Sequence, residues 1–405
     1  MINSSILFGN LPARLCFLLG TACSLISPAR AVSFRLPNQD PEAIARGNAF
    51  AATADNPSAI YYNPAGITQL KGQNASAGLY LVSAGTEFES ATGAKAKTDT
   101  SFQPVPQLYY VFTPKDSPVS FGFGVYAPYG LSLDWGDSPP FRTSAQKGKV
   151  LYASANPVVA WQIHPSLSIG IGPTLNYSEA EFKRGISPLN PADQFRFKGD
   201  GVDFGFNAGL MWKPHEQWAL GVNYRYLTTV NYEGHSEASP YFPRTTTSAS
   251  LRFPQYVVAG ISFRATENWN LEVDIDWTDW DNVNQSVFRG TSFGDVPLVF
   301  NYRSSFMYEF GVTRKLDHGY FVSAGYFYSE NSSPDANFNP LVPDSNLHLG
   351  SIGFGHKGSR WDWALAYHFG YNGGGGRVVT GSTPDVNGTY RTLNHAFNLS
   401  AGLKF

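Results

Sequence analysis

Residues 361–369 read Trp-Asp-Trp-Ala-Leu-Ala-Tyr-His-Phe, and this stretch decides the fold class. Its odd positions carry large apolar side chains, whereas its even positions carry small or polar ones. Because successive side chains of a strand point to opposite faces, a period of two predicts a β-strand with one apolar face. The same alternation recurs at 167–177, 202–212 and 269–277. Period two is therefore the dominant pattern of the chain.

The length of these segments separates two all-β architectures. Strands of soluble proteins average about 5–6 residues, whereas a tilted strand that crosses a bilayer needs about 9–11. Many segments here are that long and end in aromatic residues, as transmembrane strands do. The sequence predicts an all-β membrane protein, a 14-stranded antiparallel transmembrane β-barrel. The predicted strands are 73–83, 101–113, 117–134, 150–163, 166–183, 198–213, 216–232, 245–265, 268–284, 298–315, 319–330, 346–356, 360–371 and 387–405.

The predicted connections alternate between short turns and long loops, which is the asymmetry of bacterial outer-membrane barrels. An even number of strands places both ends of the barrel on one side, and short turns are typical of the periplasmic side. We therefore expect the protein in the bacterial outer membrane. The long connections include 135–149, 184–197, 233–244, 285–297, 331–345 and 372–386.

Composition excludes several other classes. Of the 405 residues 15% are charged and 15% aromatic, the reverse of a disordered chain. The formal net charge of −2 gives no basic excess for nucleic acid, so we expect none as a partner. The four-glycine run 373–376 lacks the Lys-Ser/Thr of a phosphate loop, and the histidines lack metal-ligand spacing. We therefore predict that the protein is not an enzyme and that it binds neither a cofactor nor a metal.

The first 31 residues have the pattern of a secretory signal peptide. Arg14 precedes an apolar stretch, and Ala29-Arg30-Ala31 fits a small-x-small cleavage site. Cleavage after Ala31 would remove Cys16 and Cys23, the only two cysteines. A lipoprotein is the alternative, but Gly20 stands where an apolar residue should precede Cys23.

Residues 32–72 break the period of two. Asp40-Pro41, Asn56-Pro57 and Asn63-Pro64 are cap-then-proline helix starts, and the residues between them are mostly small. They predict short helices on the periplasmic rim or inside the lumen, which fourteen strands leave too wide for side chains alone to fill.

Residues 46–50, Arg-Gly-Asn-Ala-Phe, and 61–71, Tyr-Tyr-Asn-Pro-Ala-Gly-Ile-Thr-Gln-Leu-Lys, resemble the N-terminal hatch of FadL-type long-chain fatty-acid transporters. The wider family includes TodX/XylN-type hydrocarbon channels. The resemblance implies a signal peptide at 1–31, a helical hatch at 32–72 inside the lumen and a barrel at 73–405. It also implies hatch gating at Asn63, Pro64 and Ala65.

Residues 121–135 are similar to the family's kinked third strand, which opens a lateral gap in the wall. Pro128 removes a ladder donor, and Gly124 and Gly130 weaken the strand beside Ala127. A rim bend without a gap is the alternative.

Two further sets of residues are candidates for ligand contact. In the outer loops an apolar landing surface is predicted, with loop packing as the alternative; its residues are Ile186, Leu189, Phe195, Tyr241 and Phe242. Alternation predicts that Arg225, Arg252 and Arg303 face the lumen, where each could meet a ligand carboxylate. Alternatively, Arg303 forms a salt bridge with Glu309 or with the acidic strand 270–276.

The family resemblance implies passive uptake of hydrophobic ligands, most of all long-chain fatty acids, with exit through the wall into the bilayer. A monoaromatic or alkane channel and a general diffusion porin are the alternatives. Expected partners are hydrophobic small molecules, outer-membrane lipid and the barrel assembly machinery, which would recognise the last strand ending at Phe405. We expect a monomer.

Overall fold

The computed structural model describes residues 33–405; the predicted signal peptide, with Cys16 and Cys23, lies outside these described residues. Among them, no helix is both long and apolar enough to cross a membrane. The strands are β1 Gly72–Glu89, β2 Lys95–Lys97, β3 Gln103–Thr113, β4 Val119–Tyr126, β5 Gly130–Asp134, β6 Lys147–His164, β7 Leu167–Arg184, β8 Gln194–His215, β9 Trp218–Arg225, β10 Thr228–Ser239, β11 Phe242–Phe253, β12 Tyr256–Thr266, β13 Trp269–Thr278, β14 Gln285–Thr291, β15 Gly294–Val299, β16 Ser305–Lys315, β17 Tyr320–Ser329, β18 Leu347–Lys357, β19 Trp361–Tyr371, β20 Arg377–Val379 and β21 Gly388–Lys404.

The strands close into an antiparallel barrel because β1 pairs with β21 from Asn74↔Lys404 to Glu89↔Thr389. Within residues 33–405 the barrel wall has fourteen transmembrane segments, as predicted, and each of these segments is here called a stave. Three staves are each broken into two strands: β4 with β5, β9 with β10, and β11 with β12. The short strands β2, β14, β15 and β20 extend the wall at the long-loop end.

The alternation that predicted the strands is present in the wall. On β19, Trp361, Leu365 and Phe369 are exposed on the outer face, whereas Ala366 and His368 are buried inside. A ring of exposed aromatic and aliphatic side chains matches the lipid-facing surface of an outer-membrane barrel.

Two long connections differ from the prediction. The predicted loop 233–244 is mostly strand, because β10 and β11 run on to a tight turn at 240–241. The predicted loop 285–297 contains the hairpin β14–β15. In both places strand residues that the sequence assigns to a loop extend the sheet beyond the predicted strands, and those of β10 at 233–239 are mostly polar.

Residues 33–71, here called the inner segment, lie inside the barrel. They form α1 Pro41–Ala45, α2 Ala59–Tyr62 and a 3₁₀ helix Pro64–Gln69. The Asp40 carboxylate accepts hydrogen bonds from the Glu42 and Ala43 amides and so caps α1. Burial, followed by the nearby Glu42 carboxylate, raises the pKa of Asp40 to about 7.

Candidate functional site

Two carboxylates of β13 hold the middle of the inner segment. Asp274 Oδ2 accepts from the amides of Phe50 (2.9 Å) and Ala51 (2.8 Å). Glu272 accepts from the amides of Ala52 (2.7 Å) and Thr53 (3.2 Å). Both carboxylates are buried. Four consecutive amides that no helix satisfies are thus bonded to one strand of the wall, and we call this arrangement the carboxylate clamp.

Two buried ion pairs extend the clamp. Arg46 lies 2.9 Å from Glu272, and Arg35 lies 2.6 Å from Asp276 on the same strand. The acidic strand 270–276 therefore does form lumenal salt bridges, but with arginines of the inner segment. Since buried charges are stable only when paired, these bridges fix where the inner segment lies.

A row of inward-facing glycines leaves room for the inner segment. A Cβ at Gly221 of β9 would fall on the Ala51 carbonyl, and one at Gly325 of β17 would fall on the Gly47 amide. At both places the backbone of the wall contacts the backbone of the inner segment, so neither can shift without a large cost in free energy. Backbone of the inner segment also lies this close to Gly170 and Gly311, whereas Gly209 and Gly353 are approached most closely by side-chain atoms.

Asn63, from the predicted gating motif, connects the inner segment to β8. Its Nδ2 donates to the Ala51 carbonyl (2.7 Å) and to the Leu210 carbonyl (3.0 Å), and its Oδ1 accepts from the Ala65 amide (3.2 Å). Pro64 begins the 3₁₀ helix. The motif is a structural junction in this closed state; whether it gates stays a prediction.

We expect Asn63→Ala to loosen this junction, because two buried carbonyls and one amide lose their partner at about 1–3 kcal/mol for each unsatisfied group. Oleate uptake by cells should fall severalfold at unchanged outer-membrane levels. The exposed Asn268→Ala is the matched control and should transport normally. Normal uptake by Asn63→Ala would contradict a gating role.

The third stave is kinked, as predicted. β4 ends at Tyr126 and β5 begins at Gly130, so Ala127 and Pro128 lie in the break. Strand β3 pairs with β4 only over 108–112, and β5 pairs only with β6. Residues 103–107 of β3 consequently have no strand partner on that side, and we call the gap between them and β5 the slit.

The inner segment closes the slit from inside. Leu36 donates its amide to the Pro128 carbonyl (2.8 Å), and Gly130 donates to the Phe34 carbonyl (3.0 Å). The Gln39 carboxamide donates to the Ala127 carbonyl (2.8 Å) and accepts from the Ala127 amide (3.3 Å). Residues 34–39 therefore substitute for the missing strand partner. Sequence reasoning missed Gln39, which has no signal of its own.

Above the clamp the lumen is filled by aromatic rings, here called the aromatic compartment. The Tyr152 and Phe253 rings lie 4.5 Å apart, and Phe34 packs 5.7 Å from Phe253 and 4.9 Å from Trp280. Tyr129, at the slit, packs against Tyr152 at 5.2 Å. This compartment is the largest buried apolar cluster of the described residues, and it borders the slit.

Arg225 lies beside the aromatic compartment, close enough to Tyr129 and Tyr152 to interact with both electrostatically. It is buried, its Nε donates to the Tyr256 hydroxyl (3.0 Å), and a second nitrogen donates to the Tyr126 hydroxyl. The Tyr126 ring lies 5.2 Å from the guanidinium carbon. Arg35 and Arg46 have carboxylate partners, whereas the contacts of Arg225 are aromatic. The inward orientation predicted for Arg225 is what the structure shows.

Arg252 and Arg303 do not face the lumen, and that prediction is wrong. Arg252 is exposed, while Phe253 beside it is buried among the rings. Arg303 is exposed and precedes β16, which begins at Ser305 rather than at 298. The prediction fails because the apolar face of a strand does not always meet lipid. In the aromatic compartment the apolar side chains of the wall point inward, and the arginines between them point outward.

The five loop residues do not form one surface. Leu189, Tyr241 and Phe242 are exposed, and Phe242 packs 5.2 Å from Phe293. Phe195 is buried on β8 against Phe288, and Ile186 is partly buried against the same cluster. Ligand capture by the exposed three stays a prediction.

Comparison with known proteins gives a consistent result. Residues 22–405 match the family model described as outer membrane protein transport protein (OMPP1/FadL/TodX). The chain is 22% identical to a long-chain fatty acid transport protein of Escherichia coli O6:H1, over 81% of this chain and 84% of that protein. It is 23% identical to outer membrane protein P1 of Haemophilus influenzae, over 84% and 86%.

Solved structures share the fold. A Pseudomonas aeruginosa FadL homologue superposes with a TM-score of 0.79 at 17% identity, covering 92% of this chain and all of that one. The Pseudomonas putida toluene transporter TodX gives 0.73 at 18% identity, covering 94% of this chain and all of that one.

Proposed function

Because this chain belongs to the OMPP1/FadL/TodX family of outer membrane transport proteins, we propose that it passes long-chain fatty acids inward across the outer membrane by passive diffusion. In this proposal residues 32–72 act as a hatch in the barrel of residues 73–405. Ligand enters from the outer loops, occupies the aromatic compartment and leaves through the slit into the bilayer.

The observation that carries this proposal is the combination of the aromatic compartment with Arg225. An apolar chain gains free energy by leaving water for aromatic walls, at about 25 cal/mol per Å² of buried surface. Within residues 33–405 the Arg225 guanidinium is held by tyrosine hydroxyls and rings, and such a group can donate two parallel hydrogen bonds to a carboxylate. A molecule that is apolar along its length and anionic at one end fits both.

Lateral exit suits such a ligand. An apolar chain gains nothing by crossing a watery pore, whereas the slit, once open, would connect the compartment with lipid. The inner segment must release residues 128–130 for the slit to open.

Two alternatives predict different behaviour. A hydrocarbon channel, the function that the name of the similar TodX structure describes, would need the aromatic compartment but not Arg225. A general porin would need an open lumen and would carry large steady currents in planar bilayers. The inner segment fills this lumen, which favours the two hydrophobic ligands.

We expect Arg225→Met to weaken oleate binding by about tenfold or more, since a charge-assisted hydrogen bond contributes about 1.5–3 kcal/mol. Toluene binding should not change. Calorimetry on the purified protein measures both ligands.

The matched control is Arg252→Met, which removes an exposed arginine and should leave oleate binding unchanged. Equal losses of oleate and toluene binding in Arg225→Met would indicate damage to the compartment rather than loss of a carboxylate contact. Unchanged binding of both ligands would favour the hydrocarbon channel. No oleate binding by the unmodified protein would end the fatty-acid proposal.

A further inference from the structure

The slit persists although a strand edge lies on each of its sides. Residues 103–107 of β3 are paired with β1 along one edge, from Val82↔Gln103 to Gly78↔Gln107. Their other edge faces β5, whose far side is paired with β6. Two unpaired edges in a barrel wall would ordinarily join, because unmade backbone hydrogen bonds facing lipid are costly.

The composition of β3 explains why they do not join. Pro104 and Pro106 alternate along the unpaired stretch and lie opposite Leu81 and Leu79 of β1. A proline within a paired strand lies where its nitrogen faces away from the partner, because it has no N–H to donate. The nitrogens of both prolines therefore face the slit, and the β3 edge presents no donor at these positions.

The opposite edge is occupied from inside. The Pro128 carbonyl and the Gly130 amide are the groups that β3 would bond, and both are bonded to residues 34–36 instead. Tyr129 forms an antiparallel bridge with Arg35. The inner segment is not a strand of the barrel wall, so it could withdraw from the slit without breaking the barrel. A strand of the wall could not.

We propose that Pro104 and Pro106 prevent backbone hydrogen bonds between β3 and β5 at the slit, so that only the inner segment determines whether the slit is closed. The proposal rests on the slit's function as a lateral exit. The prolines act by removing the donors for backbone hydrogen bonds across the slit.

A second pair of prolines in the wall provides a comparison. Pro157 of β6 and Pro173 of β7 also interrupt a ladder, but its register is unchanged on both sides, from Ala155↔Leu175 to Val159↔Ile171. There Asn156 Nδ2 donates to the Pro173 carbonyl at 2.8 Å and so bridges the interruption. Prolines alone thus do not open a wall; the edge beside β3 also lacks a bridging side chain on the β5 side.

The test is the double variant Pro104→Val with Pro106→Val, which restores two donors with residues that favour strands. The unmodified β3 has no amide at 104 or 106, so exchange is compared on the facing side of the slit. Hydrogen exchange of the amides of 127–134 in detergent should slow by about tenfold or more, and oleate uptake should fall at least about fivefold. Pro173→Val is the matched control and should change neither. Migration of the unheated barrel in SDS gels verifies folding, and Pro106→Val alone serves if the double variant does not fold.

Unchanged exchange at the slit in a folded variant would overturn the proposal. Slower exchange together with normal uptake would support the role of the prolines and would instead disprove lateral exit. Slower exchange with reduced uptake supports both.

Discussion

Replacing Glu272 and Asp274 together by alanine should convert a closed barrel into a leaking one. Four amides of residues 50–53 would lose their acceptors, at about 1–3 kcal/mol for each group left unsatisfied. Arg46 would remain as a buried charge without its carboxylate, and breaking such a pair costs about 3–5 kcal/mol. These losses are not additive, but they exceed what one small segment can absorb. The inner segment should therefore leave its place.

Planar-bilayer recordings measure this effect. The variant should show frequent, steady openings where the unmodified protein shows small or no current. Glu272→Gln with Asp274→Asn retains acceptors for the amides and should leak less. The matched control, Asp200→Ala with Glu233→Ala, removes two exposed carboxylates that face each other across β8 and β10. A double-alanine barrel that stays closed would refute the clamp.

Gly221→Ala should have the next largest effect, because a single methyl group there has no space. Its Cβ would fall on the Ala51 carbonyl, whose neighbours are bonded to the clamp. Overpacking a tight interior costs about 1–3 kcal/mol, and more where only backbone can move. We expect oleate uptake to fall at least about fivefold, with added current in bilayers.

Gly370→Ala is the matched control, since this inward-facing glycine of β19 has its nearest neighbour at 3.5 Å. A normal phenotype for Gly221→Ala would show that the inner segment moves aside without cost. Equal damage from both substitutions would indicate a general sensitivity of the wall to added methyl groups.

The barrel itself could be predicted, because each strand carries its own period. The stretch around Trp361 needs no distant residue to show which side meets lipid. The kink at Pro128 was visible for the same reason, since the missing donor is a local property. The breaks between β9 and β10 and between β11 and β12 are not visible in the sequence. The late start of β16 is not visible either, because the aromatic residues Phe300 and Tyr302 continue the pattern ahead of the strand.

The lumen could be predicted only in part. Glu272 and Asp274 alternate with apolar residues, so their inward orientation is visible in the sequence, but their acceptance of amides from residues 50–53 depends on contacts some 220 positions apart. Arg252 shows where prediction of side-chain orientation from the sequence fails. Its neighbour Phe253 is apolar because it packs against other rings, and sequence cannot distinguish that reason from contact with lipid.

Phe34 occupies part of the volume that a ligand would fill, between Phe253 and Trp280. The protein thus contains its own competitor, covalently attached and present at a fixed effective concentration. An apparent dissociation constant then equals the intrinsic one divided by the fraction of molecules from which Phe34 has withdrawn. On the proposed function, weak binding by the resting protein is therefore compatible with a compartment of high intrinsic affinity, and ligand binding and slit opening would depend on the same conformational equilibrium.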